Sequence, residues 1–95
     1  MSAYVLVEIT ITDPVQYEEV KHLTPPIVAH YGGKYLARGG HTEVFHGDWQ
    51  PARLVLLEFE SIEAARTWES SPEYTMVKEM RDRCANVNMV MLQGV

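Results

Sequence analysis

Residues 53–60 read Arg53-Leu54-Val55-Leu56-Leu57-Glu58-Phe59-Glu60, the strongest strand signal in the chain. Successive side chains of a strand point to opposite faces, so Val55, Leu57 and Phe59 share one face and Leu54, Leu56 and Glu58 the other. The run Tyr4–Ile11 (YVLVEITI) divides in the same way. Val5, Val7, Ile9 and Ile11 lie on one side; Tyr4, Leu6, Glu8 and Thr10 lie on the other. Both strands are therefore apolar on both faces, and a sheet built on them needs cover on two sides.

Helices supply one cover. Asp13-Pro14 is a helix start: the carboxylate accepts from the first orphan amides and proline suits the first helical position. Gln16 lies where it would complete a capping box. Tyr17, Val20, Ile27, Val28 and Tyr31 then follow helical spacing, interrupted by Pro25-Pro26, and Gly32-Gly33 ends the element. The reading predicts one kinked helix or two short ones, with Thr24 capping the second. Lys34–Arg38 (KYLAR) is a second strand, with Gly39-Gly40 as turn or bulge, and Glu43–His46 (EVFH) is its continuation or a small extra ribbon. Ser61 caps another helix that turns Ala65 and Trp68 inward. Ser71-Pro72-Glu73 starts a further one running to about Ala85, with Val77, Met80 and Cys84 inward. Asn86 ends it, and Val87–Val95 (VNMVMLQGV) is the last strand.

The order strand, helix, strand, strand, helix, strand points to an α+β fold: a ferredoxin-like βαββαβ sandwich. A four-stranded antiparallel sheet carries helices on one face, with the first and third strands central. Ninety-five residues leave room for one domain over 1–95. By surface scaling, a folded chain of 10.8 kDa exposes roughly 5,500 Å² and buries about 65% of the unfolded surface, enough for one core. Hydrophobic residues at 46% and charged residues at 22% are ordinary for a globular domain and argue against disorder or a coiled coil.

Thirteen acids against eight bases give a net charge of −5, and the bases are scattered, without the stripe that nucleic-acid binding uses. No apolar run reaches the roughly 20 residues of a membrane span. The first residues show no basic n-region or cleavage site, and one cysteine makes no internal disulfide. The expectation is a cytoplasmic protein that contacts neither nucleic acid nor membrane.

If Val5, Val7, Ile9, Val55, Leu57 and Phe59 face the helices, then Leu6, Glu8, Leu54, Leu56 and Glu58 line an uncovered face. A contiguous apolar patch of that kind marks an interaction surface. The predicted partner is a second copy packed sheet to sheet, or an assembly of such dimers, enclosing a cavity near Glu8 and Glu58.

The ordered series Tyr31–Gly40 (YGGKYLARGG), Gly47-Asp48-Trp49, Arg53-Leu54-Val55, Glu58-Phe59, Ala64–Trp68 (AARTW) and Ser70–Tyr74 (SSPEY) resembles the bacterial family known as domain of unknown function 1330. That family is similar to the dimeric α+β barrel superfamily, which includes cofactor-free monooxygenases, haem proteins and muconolactone isomerase-like enzymes. The resemblance implies a dimeric fold with a cavity and leaves open whether the protein is an enzyme. His41-Thr42 matches none of these motifs.

Several residues are candidates for chemistry. Glu8 and Glu58, on adjacent central strands, are placed to couple as an acid/base pair, one protonated and one ionised. Arg38 either pairs with Glu58 or binds an anionic ligand in bidentate fashion. The alternative is a structural salt bridge or rim charges in water. Asp48 and Trp49 lie in a loop, where functional residues concentrate, and with Arg53 at the start of the third strand they join Arg38, Glu58 and Glu8 as ligand-binding candidates; the plainer reading is a turn and a core cover, with Arg53 pairing to Asp48. Trp68 and Tyr74 clamp the two helical pieces around the Ser-Pro break. His22, His30, His41 and His46 lack metal-ligand spacing, and neither glycine pair matches a phosphate loop, so no metal or cofactor is predicted. Cys84 reads as a buried, inert thiol, and Met76, Met80, Met89 and Met91 as gap fillers. The function this supports is binding of a small, partly apolar ligand, anionic if Arg38 serves it. The alternatives are a cofactor-independent monooxygenase- or isomerase-like enzyme, and a dimerisation module with no ligand.

Overall fold

A computed structural model describes all residues, 1–95. Its elements are β1 (Ala3–Ile11), α1 (Pro14–His30), β2 (Lys34–Arg38), β3 (Arg53–Phe59), α2 (Ile62–Glu69), α3 (Pro72–Asp82) and β4 (Ala85–Gln93). The strands form one antiparallel sheet in the order β2-β3-β1-β4. The strongest strand signals thus occupy the centre, as the two-sided apolar pattern requires. The register sets Val5 opposite Leu57 and Val7 opposite Val55. These four residues, with Ile9 and Phe59, are buried against Tyr17, Val20, Val28, Trp68 and Val77 of the helices.

Helix α1 is one continuous helix through Pro25-Pro26, the first of the two expected alternatives, and not two short pieces. A proline at position 25 leaves the carbonyl of Lys21 without its helical donor. Arg38 supplies the replacement, donating from Nη2 to Lys21 O at 2.9 Å. Thr24 does not cap; its hydroxyl donates back to Val20 O at 2.8 Å. At the N-terminus, Asp13 Oδ1 accepts from the amides of Val15 and Gln16. The expected reciprocal bond from Gln16 gives way to another, because the Asp13 amide donates to Cys84 O.

That same Cys84 carbonyl also accepts from Thr12 N, drawing the chain onto β1. Helix α3 accordingly stops at Asp82 and β4 begins at Ala85, paired with Ile11, two residues ahead of the expected start. Asn86 lies within the strand. The irregularity of β2 is also displaced: the bulge falls between Tyr35 and Ala37 instead of at Gly39-Gly40. Residues 43–46 form no strand and belong to a long exposed loop, 39–52.

The molecule is a slab of 34 × 32 × 16 Å, one sheet under one helical layer. Its 6308 Å² of accessible surface exceeds the roughly 5,500 Å² expected for its mass. Leu6, Leu54, Leu56 and Glu58 on the open face are only half-buried, and Val90 and Leu92 of β4 are 58% and 69% exposed.

Candidate functional site

Two polar clusters lie on opposite faces of the sheet. The first is on the open face, where Glu8 collects three donors. Asn88 Nδ2 donates to Oε1 at 3.1 Å; Trp49 Nε1 and the amide of Ala52 donate to Oε2 at 3.0 and 3.3 Å. The bonds from Asn88, Trp49 and Ala52, in that order of effect, hold the Glu8 carboxyl below the ordinary glutamate range. Glu8 is thus an ionised acceptor that ties the end of loop 39–52 to strands β1 and β4.

The second cluster is beneath the helices. A cavity of about 50 Å³ lies between α1, α3 and the sheet. Val7, Val55 and Leu57 form its apolar floor, and Tyr17, Tyr35, Trp68 and Tyr74 contribute aromatic walls. Trp68 stacks on Tyr74 with ring centroids 4.3 Å apart and leans on Phe59 at 5.2 Å. Such contacts add about 0.5–1.5 kcal/mol each beyond area burial and fix the indole in place. The indole Nε1 is buried and has no hydrogen-bond partner.

Lys21, Arg38, Arg53 and Arg81 also line this cavity, and no carboxylate or imidazole does. Arg81 is committed elsewhere, donating to Tyr74 Oη at 3.0 Å and pairing with Asp82 at 3.1 Å. Lys21 pairs with Glu18 at 3.2 Å. Arg38 sits over the Tyr35 ring, its guanidinium 4.9 Å from the centroid, and spends one donor on Lys21 O. Arg53 differs from all of these: its Nε is buried without a partner. Its guanidinium lies under Gly39, where a Cβ would have to push it aside, and Gly39 holds a φ of +68°, a left-handed conformation that favours glycine. Burial is the leading cause that raises the phenol pKa of Tyr17, Tyr35 and Tyr74, the last to about 12, against the opposing pull of nearby arginines. The three phenols are neutral at physiological pH.

The bulge in β2 explains why several expected pairs do not form. In a regular strand Tyr35 and Arg38 would face opposite ways; the extra residue puts both on the helical side, Tyr35 opposite Leu57 and Arg38 opposite Val55. Glu58 remains on the open face between Lys34 and Tyr4, so no Arg38–Glu58 bridge exists. Glu8 faces Leu54, four residues along β1 from Glu58's partner Tyr4, so the two carboxylates are roughly 13 Å apart along the strand and do not couple. Asp48 is exposed in the loop and makes no ion pair with Arg53, whose side chain turns under Gly39. Trp49 does join Glu8. No three His, Cys, Asp or Glu side chains converge on a metal position. Cys84 is fully buried, and burial raises its thiol pKa, which suits an inert core residue.

The model of a domain of unknown function, DUF1330, matches residues 2–95. The chain belongs to that family. Among solved structures, a protein of unknown function from Rhodopseudomonas palustris is 17% identical with a TM-score of 0.76, over 99% of this chain and 82% of that one. A cofactor-independent oxygenase from Streptomyces nogalater is 11% identical with a TM-score of 0.69, over 99% and 93%. A dimeric ferredoxin-like protein of unknown function from Thermobifida fusca is 15% identical with a TM-score of 0.68, over 99% and 92%. At these identities the likeness is one of fold, and the fold is ferredoxin-like. No curated protein matches the chain. No helix of this DUF1330 chain is long and apolar enough to cross a membrane.

Tyr17, Tyr35, Arg81 and Asn88 were not singled out for these two clusters by sequence. One signal was available. Arg53 shares the period of Val55, Leu57 and Phe59, which places a cation at the start of the face turned toward the helices.

Proposed function

We propose that this protein is a homodimeric small-molecule binder in which each subunit holds a small, partly apolar ligand between its sheet and its helices. The observation that carries this reading is that two residues lining the cavity, Trp68 and Arg53, each keep a buried donor nitrogen, Nε1 and Nε, without a hydrogen-bond partner. A buried unpaired donor costs about 1–3 kcal/mol, and a site that repays that cost on occupancy is a reason for it to persist. Absence of a carboxylate or imidazole from the lining favours binding over proton abstraction, because the neutral phenols are poor bases. This distinguishes the reading from the cofactor-independent oxygenase or isomerase alternative, which is supported by likeness of fold alone, as to the Streptomyces nogalater oxygenase and a candidate antibiotic biosynthesis monooxygenase from Nitrosomonas europaea.

Dimerisation rests on the open face. Leu6, Leu54 and Leu56 with exposed Val90 and Leu92 form an apolar surface on the side of the sheet without helices. The surface in excess of the scaling value is on the order of 800 Å², one partner's share of a standard interface. The Thermobifida fusca protein of the same fold is dimeric. Light scattering at micromolar concentration is expected to give twice the chain mass, with Leu56→Lys reducing it to one; a strict parental monomer contradicts the dimer. A thermal-shift screen of small carboxylates, amides and phenols tests binding, since a ligand of the folded state raises the melting temperature by mass action. A screen in which nothing shifts contradicts it.

A further inference from the structure

Resting on the reading of the cavity as a ligand seat, we propose that its ligand is a small monocarboxylate, or the carboxylate end of a larger one, received by Arg53 with Trp68 Nε1 as the second donor. Charge supports the sign. Of the eight lysines and arginines in a chain of net charge −5, four border this one cavity, and none of its lining residues is acidic. Lys21 and Arg81 have their own carboxylate partners, which leaves Arg38 and Arg53 as positive charge without a counter-ion. Arg38 is exposed at the mouth and already serves the Lys21 carbonyl, whereas the Nε of Arg53 is sealed inside.

Shape and size support the class. A guanidinium edge offers coplanar donors that match the two oxygens of a carboxylate. A volume of about 50 Å³ accepts roughly three or four heavy atoms, which is a carboxylate with one or two carbons and less than a phosphate with its hydration. Val7, Val55 and Leu57 offer the carbon end an apolar floor.

The test compares acetate with acetamide, its neutral isostere, by calorimetric titration in chloride-free buffer. Four heavy atoms support only millimolar affinity, so titration runs to about 100 mM. Acetate is expected to bind at least about tenfold more tightly than acetamide, the margin of a charge-assisted over a neutral hydrogen bond. Arg53→Met should bring the ratio near one. Arg53→Lys keeps the charge but lacks the Nε donor, and should lose at least about fivefold in acetate affinity; it carries the test if the methionine variant does not fold. Equal binding of acetate and acetamide by the parent overturns the carboxylate class while leaving the cavity a ligand seat. Binding of neither overturns the class and the seat together. Acetate binding that survives both Arg53 variants overturns the assignment to Arg53.

Discussion

The two faces of this sheet treat polar atoms in opposite ways. On the open face, one carboxylate, Glu8, receives Asn88, Trp49 and the Ala52 amide, so its acceptors are filled. Under the helices, Trp68 Nε1 and Arg53 Nε are donors with nothing to receive them. Burial of a filled network fixes structure, here the anchoring of loop 39–52. Burial of unfilled donors is an expense that core packing alone does not explain. Glu8 and Trp49 therefore hold the fold, and Arg53, read from sequence as a ligand candidate or a bridge to Asp48, lines the cavity.

The contrast extends to pH, and this is where the largest effect is expected. Tyr74, under the helices, is held neutral up to about 12 by burial, while an unfolded tyrosine ionises near about 10. A folded value raised above the unfolded one gives stability that is complete below pH ~10 and lost as pH climbs toward 12, on the order of 2–3 kcal/mol. Urea unfolding across that window should show the decline, and Tyr74→Phe should reduce it, Tyr17 and Tyr35 keeping their share. A parental protein with no such decline would break the picture of a phenol desolvated beneath the helices.

Arg38 and Arg53 separate next, because they line one cavity with opposite roles. Arg38→Met orphans the Lys21 carbonyl that Pro25 cannot serve and should cost about 1 kcal/mol, water taking part of the loss at this exposed site. Arg53→Met removes an unpaired buried donor and should leave stability unchanged or raise it by up to about 1 kcal/mol. Denaturant midpoints decide; a large loss from Arg53→Met would make it a structural cation and erase the distinction.

The smallest effect belongs to the open face. Glu8 has its folded pKa lowered, so the contribution of its bonds is present above the unfolded glutamate value and is lost as pH falls through the folded one. Trp49 fluorescence should change on acidification with a midpoint below the ordinary glutamate range, with the core intact. Glu8→Gln should abolish that transition with little change in the urea midpoint.

Much of the fold was legible because periodicity reports burial directly: Val55, Leu57 and Phe59, and Val5, Val7 and Ile9, all point where alternation puts them. Caps at Asp13, Ser61 and Ser71 were equally readable, since each is a local bond between a side chain and amides two or three residues on. The candidate site was legible only in part: Arg38 and Arg53 were named, but their placement depends on non-local events. A one-residue bulge at Leu36 moves Arg38 across the sheet, and only contact between β2 and α1 shows that its guanidinium replaces a proline's missing amide. Asn88 reaches Glu8 across eighty residues of sequence. Trp68 was correctly read as packing against Tyr74; that its indole nitrogen is left without a partner is visible only in the assembled fold.

The two tryptophans, one on each face, provide the most direct measurement. In a nitrogen-15-labelled sample, the indole N–H signals of Trp49 and Trp68 are followed as sodium acetate is added. Trp68 is expected to move progressively and saturate as its free donor finds an acceptor, while Trp49, already bonded to Glu8, stays in place. A Trp68 signal that does not move, or that moves only in step with Trp49, contradicts the claim that the cavity under the helices is a seat for a carboxylate.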